Sequence, residues 1–116
     1  MFSDHWIFDE KNALYFDSGW IEVSNNAQRK IELDHGLGFT PRFMSIFFAE
    51  DKDASRMYPL QQSWGVHNGN PVEIDVTREQ INLHIWNGTS VHSTWNAETN
   101  AWTGHLSGYF RVFAIR

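Results

Sequence analysis

The chain is cut into short pieces. Brief runs rich in Phe, Ile, Val, Trp and Tyr alternate with clusters of Gly, Asn, Asp, Ser and Pro, and no segment keeps a helical period. The breaks fall at Asn25-Asn26, Gly36-Leu37-Gly38, Asp51-Lys52-Asp53, Asn68-Gly69-Asn70 and Asn87-Gly88. Strands are predicted over 14–16, 20–23, 30–34, 42–49, 57–60, 72–76, 80–86, 91–95 and 107–115. Strands this short and this regularly spaced predict an all-β chain: an antiparallel β-sandwich of about six to nine short strands. At 116 residues the chain is one domain, 1–116, long enough to bury roughly two-thirds of its unfolded surface. It has no repeat, linker or low-complexity stretch.

Composition narrows the function classes. Six Trp, nine Phe, three Tyr and six His are more rings than a small domain can bury. Rings left at the surface suit sugar faces, bases and protein partners, which favours a binding module over an enzyme. The net charge of −5 argues against a nucleic-acid module, and the scattered Lys and Arg against membrane attachment. Residues 1–9 lack the basic start and long apolar run of a signal peptide, and no stretch has the apolar length of a membrane span. The expectation is cytoplasmic synthesis, with a virion or extracellular destination left open. The absence of Cys fits a reducing compartment, a phage particle or a secreted bacterial protein without disulfides. No cofactor is expected, and any metal site would have to be built from His, Asp and Glu.

Alternation sets the faces. Ile31 and Leu33 point one way, with Lys30, Glu32 and Asp34 opposite; Val72, Ile74 and Val76 face in, with Glu73 and Asp75 outside. Two strands are apolar on both sides. Residues 42–49 carry Met44, Ile46 and Phe48 against Phe43 and Phe47; residues 107–115 carry Phe110, Val112 and Ala114 against Tyr109, Phe113 and Ile115. Such strands must be covered twice. Either the N-terminal segment 1–12, with Trp6, Ile7 and Phe8, or another loop covers the second face, or Phe43, Phe47, Tyr109 and Phe113 form a subunit interface.

Three segments are candidate sites. Residues 80–95 read as a hairpin turning at Asn87-Gly88-Thr89, in the register that pairs Ile85 with Val91, Ile81 with Trp95 and His84 with His92. That register puts Trp95 on the apolar face with Ile81 and Leu83. It gathers Asn82, His84, Trp86, His92 and Thr94 on the other, as a solvated face or a ligand platform. Two His without a third ligand make a weak metal site, so no metal is expected there. In the loop 95–104, Trp95 and Trp102 are interleaved with Asn96 and Glu98: rings for the C–H faces of a sugar, amide and carboxylate for its hydroxyls. The same loop can equally be a structural one pinned by its indoles. The amide-rich segment 61–70 around Trp64 is either a ligand loop or an irregular connection. There is no Gly-x-Ser-x-Gly, phosphate loop, His-Glu-x-x-His or Cys nucleophile, and no catalytic residue is expected. Asp51 and Asp53 read as turn residues, and Asn87-Gly88-Thr89 as turn chemistry and not a glycosylation acceptor.

Ser18-Gly19-Trp20, Phe39-Thr40-Pro41-Arg42-Phe43-Met44-Ser45-Ile46 with the acidic turn behind it, Thr94-Trp95-Asn96-Ala97-Glu98-Thr99, and Phe110-Arg111-Val112-Phe113-Ala114-Ile115 follow one another in the order of an H-type lectin domain, which the chain resembles from Ser18 onward. Arg42 stands where that family has a second Pro, Phe113 where its last strand has Trp, and the Cys common in its animal members are missing. His35-Gly36-Leu37-Gly38-Phe39-Thr40-Pro41 looks like segments near the tips of phage tail fibres. The resemblance implies a six-stranded sandwich that assembles as a homotrimer. It implies a glycan site in end loops near a subunit boundary: Ser24, Asn25 and Asn26, Asp51 and Asp53, and the residues at and after Trp95. The expected function is therefore non-catalytic glycan binding by a homo-oligomer. The alternative is a structural or receptor-binding protein of a phage or tail-like particle.

Overall fold

Period-two alternation decides where each strand packs. The computed structural model describes residues 13–24, 30–60, 72–85 and 90–116. Within them lie ten strands and no helix: β1 (Tyr15–Asp17), β2 (Ile21–Ser24), β3 (Lys30–Asp34), β4 (Phe43–Ala49), β5 (Met57–Pro59), β6 (Val72–Val76), β7 (Gln80–Ile85), β8 (His92–Asn96), β9 (Ala101–His105) and β10 (Ser107–Ile115). All pairings are antiparallel. The chain is an all-β sandwich. Its larger sheet runs β1-β10-β4-β5, with β2 also on β10; its smaller sheet runs β3-β7-β6; β8 and β9 form a separate ribbon.

β1 and β2 lie end to end along one edge of β10. Tyr15 pairs with Ile115 and Asp17 with Phe113, whereas Ile21 pairs with Phe110 and Val23 with Gly108. The register slips by one residue between them, so Ser18-Gly19-Trp20 form a bulge. Gly19 takes φ +69°, and the Ser18 hydroxyl accepts a 2.9 Å hydrogen bond from the Val112 N–H that the bulge leaves over.

The inner faces meet in one core of Val23, Ile31, Leu37, Ile46, Phe48, Val72, Ile81, Leu83, Ile85, Val91, Phe110, Val112 and Ala114. Full burial of side chains of this size contributes about 1.5–3 kcal/mol each. Phe48 sits at its centre, edge-on to Phe110 with centroids 5.7 Å apart. β10 carries Gly108 there because a methyl group at that position would run into the Phe48 ring and the Ala49 carbonyl.

The predicted faces of β3 and β6 are the observed ones. Three expectations are corrected. The segment read as the loop 95–104 contains β9, paired with β8 from His92–His105 to Asn96–Ala101. The hairpin joining residues 80–86 to 91–95 does not form, because β7 is already flanked by β3 and β6. His84 pairs with Lys30 and Glu73, and His92 with His105, so the two imidazoles are not cross-strand neighbours. Trp95 is not a core residue either: it is 50% exposed and pairs with Trp102.

Residues 1–12, Asn25, Asn26, the segment 61–70, Trp86 and Asn87-Gly88-Thr89 lie outside the described residues.

Candidate functional site

At the end of the sandwich where β4 turns into β5, a polar groove of about 510 Å³ opens between that turn and the β8–β9 ribbon. Glu50, Arg56 and Tyr58 line one side; Thr94, Trp95, Asn96, Ala97, Glu98 and Thr103 line the other. The turn is shaped by Asp51: its carbonyl accepts from Ala54 N, and its carboxylate from Ser55 N and Ser55 Oγ. Asp51 thus works as a turn residue, as read from the sequence, and neither it nor Asp53 lines the groove. Glu50 and Arg56, the residues flanking the turn, do.

The ribbon presents His92, Thr94 and Asn96 on one face, with His105, Thr103 and Ala101 beside them. That face lies over Phe48. His92 is fully buried and stacked on the Phe48 ring, centroids 4.5 Å apart and planes 13° from parallel. Neither of its ring nitrogens has a hydrogen-bond partner among the described residues. Burial, reinforced by the neighbouring His105 charge, holds its pKa down at about 4, against a weaker opposite pull from the Pro59 backbone. His105 ties the ribbon to the larger sheet, its Nδ1 3.3 Å from Glu50 Oε1 and its Nε2 3.2 Å from Thr94 Oγ1. Hydroxyl, imidazole and carboxylate stand in the order that activates a nucleophile, with Thr94 in mid-strand opposite Thr103. The two contacts join the ribbon to Glu50 at the end of β4.

The residues expected at this loop are split between two faces. Asn96 and Glu98 line the groove. Asn96 Oδ1 accepts from Glu98 N at 2.9 Å and Thr99 N at 3.3 Å, shaping the turn, so its Nδ2 is the group left for a ligand. The two indoles, both expected as ligand contacts, pair across the ribbon. Trp95 borders the groove, while Trp102 stands edge-on against it, centroids 5.4 Å apart and planes at 71°, and does not line the groove. Glu50, Arg56, Tyr58 and Thr103 were not anticipated. Asp51-Lys52-Asp53 was the available signal for Glu50 and Arg56, since a hairpin turn brings its two flanks together.

The alternative face is divided. Asn82 and His84 lie on the outer side of the smaller sheet, where Asp75 receives Asn82 Nδ2 at 2.8 Å and has Oδ2 2.6 Å from His84 Nε2. These two contacts hold the Asp75 carboxyl below the usual range. His92 is in the core. No group of three or more His, Asp or Glu among the described residues is placed to hold a metal ion.

The four residues read as an interface share the outer side of the larger sheet. Phe43 lies opposite Ile115, Phe47 opposite Arg111, Ser45 opposite Phe113 and Ala49 opposite Tyr109. Phe47 and Phe113 meet edge-to-face at 6.0 Å. Arg111 is forked onto Asp17 at 2.9 and 2.6 Å and lies over the Phe113 ring, 4.8 Å from its centroid. The fork lowers the Asp17 pKa and raises that of Arg111. Phe43 is 70% exposed, and Tyr15 and Ile115 are exposed beside it.

No family model matches the chain, and no curated protein matches its sequence.

Proposed function

We propose that the chain is a non-catalytic, lectin-like carbohydrate-binding module whose site is the groove between the β4–β5 turn and the β8–β9 ribbon. The observation that carries this reading is the convergence of Glu50, Arg56 and Tyr58 with Thr94, Trp95, Asn96 and Glu98 in one open groove. Carboxylates accept from sugar hydroxyls, the guanidinium and the Asn96 amide donate to them, and Tyr58 and Trp95 offer ring surface for the C–H faces. The resemblance to H-type lectins supports the same end of the sandwich. It also supports a homo-oligomer, a trimer, assembled through the outer face that carries Phe43, Phe47, Tyr109 and Phe113.

A glycan array on the purified protein, followed by titration of a hit, tests the reading. Tyr58→Ala and Trp95→Ala are expected to weaken binding by about 1–3 kcal/mol each, as at other stacking platforms, and Trp102→Ala less. A blank array, or a hit whose affinity ignores both Tyr58 and Trp95, removes the assignment. The aromatic outer face favours a second reading, a structural protein of a phage or tail-like particle, in which the oligomer forms and no glycan binds.

A further inference from the structure

The opposite end of β10 holds a different kind of cavity. A pocket of about 1110 Å³ is lined by Leu14, Phe39 and Ile115 and by three guanidinium-bearing residues, Arg42, Arg78 and Arg116. These are three of the nine Lys and Arg of a chain whose net charge is −5, and no Asp or Glu is among the described lining residues. Arg42 and Arg78 make no side-chain ion pair or hydrogen bond among the described residues.

The cluster is built by the fold. His35 is buried and bridges two loops: its Nε2 donates to the Thr77 carbonyl at 2.9 Å, and its Nδ1 accepts from Leu37 N at 3.0 Å. His35 N also donates to the Glu79 carbonyl. These bonds fix the tight β6–β7 turn, which carries Arg78, against the segment 35–39. Leu37 is plugged into the core there and Phe39 is left 52% exposed. Arg42 N bonds to the Ile115 carbonyl and Arg116 N to the Leu14 carbonyl, closing the other side. The Arg116 guanidinium lies 4.9 Å from the Phe39 ring centroid.

We infer that this pocket binds a small amphipathic organic anion: an acyl or aryl body carrying one carboxylate or sulfonate. A purely apolar ligand would cover the Arg42 and Arg78 guanidinium groups without a counter-charge, which is costly. A bare inorganic anion would leave Phe39, Leu14 and Ile115 in water. Only a ligand with both parts matches the lining, with the planar forks of Arg suited to a two-oxygen head group. The volume is ample for a small molecule, slightly above the usual range of such sites.

The probe is anilinonaphthalene sulfonate, with phenylnaphthylamine as the same apolar body lacking the charge. The 116-residue chain should bind the sulfonate saturably with one-to-one stoichiometry, in a salt-sensitive manner, and the amine about tenfold more weakly or worse. Arg42→Gln and Arg78→Gln should each reduce sulfonate affinity about tenfold without moving the melting temperature, whereas Lys30→Gln, on the other sheet, should leave it unchanged. Equal binding of both probes, or sulfonate binding indifferent to both Arg variants, overturns the inference. So does sulfonate binding that appears only after removal of residues 1–12, because that assigns the pocket to the chain's own acidic and aromatic start. None of these readouts involves the groove proposed for glycans.

Discussion

The two faces of the larger sheet are made by the same strands and both carry large apolar side chains, yet among the described residues only one is covered by a second sheet. β10 sends Phe110, Val112 and Ala114 inward, where they are buried, and Tyr109, Phe113 and Ile115 outward, where Ile115 stays 54% exposed. β4 divides Phe48 from Phe43 and Phe47 in the same way. Hydrophobicity alone therefore does not mark the core. The inner face has an opposing sheet, a glycine that makes room for Phe48, and no charged side chain in its core cluster. The outer face carries an internally neutralised Asp17–Arg111 pair among its rings, which suits the interface proposed for it.

The largest expected effect tests that asymmetry directly. Phe48→Ala should cost about 3–5 kcal/mol in denaturant unfolding, while Phe47→Ala, its neighbour on the outer face, should cost far less in the isolated subunit. Equal losses would mean that the two faces do not differ in kind.

Next comes the buried imidazole behind the inner face. The folded pKa of His92 is about 4, below the ordinary 6.5 of the unfolded chain. Above pH 6.5 both states are neutral and nothing is lost; as pH falls, the unfolded chain takes up the proton first. Stability should therefore drop through the window from 6.5 to 4, by up to about 3 kcal/mol, and His92→Phe should flatten that part of the curve. An unchanged slope in the variant would place the acid sensitivity elsewhere. The lowered Asp17 and Asp75 carboxyls act in a separate window, since their stabilisation is lost below the ordinary carboxylate value.

Last comes Phe113→Asp, which should dissociate the proposed oligomer and also lower the melting temperature, because the new carboxylate lies opposite Asp17 in the sheet register. Sedimentation of the wild-type protein as a monomer at micromolar concentration would leave the outer face without the role proposed for it.

Nine of the ten strands in the described residues were legible as short runs of β-forming residues bounded by turn clusters. β9 was not: Ala101-Trp102-Thr103-Gly104-His105 has a central glycine and only one strongly β-forming ring, and it is a strand because β8 pairs with it. A methyl at Gly104 would collide with the Ser90 side chain, a contact that only the folded ribbon creates. The β7–β8 pairing failed for a related reason. Clean segregation of polar and apolar faces is a condition that any partner of β7 can satisfy, and β3 and β6 satisfy it first. The loops of the candidate site were recognisable by composition, but the roles of their residues were not. Which of the paired Trp95 and Trp102 borders the groove, and the contribution of Glu50 and Arg56, depend on which turns the fold brings to the same end.

The bulge at Ser18-Gly19-Trp20 works as a change of phase. Before it, odd-numbered residues face outward, as Tyr15 and Asp17 do beside Ile115 and Phe113; after it, Ile21 and Val23, also odd, turn to the core with Phe110 and Gly108. One extra residue lets a single continuous edge serve two opposite reading frames. Loss of any one of the three would be felt along its whole length: either the Asp17–Arg111 lock would be thrown inward, or Ile21 and Val23 outward. Point substitutions at this edge can be absorbed locally, whereas a one-residue deletion cannot.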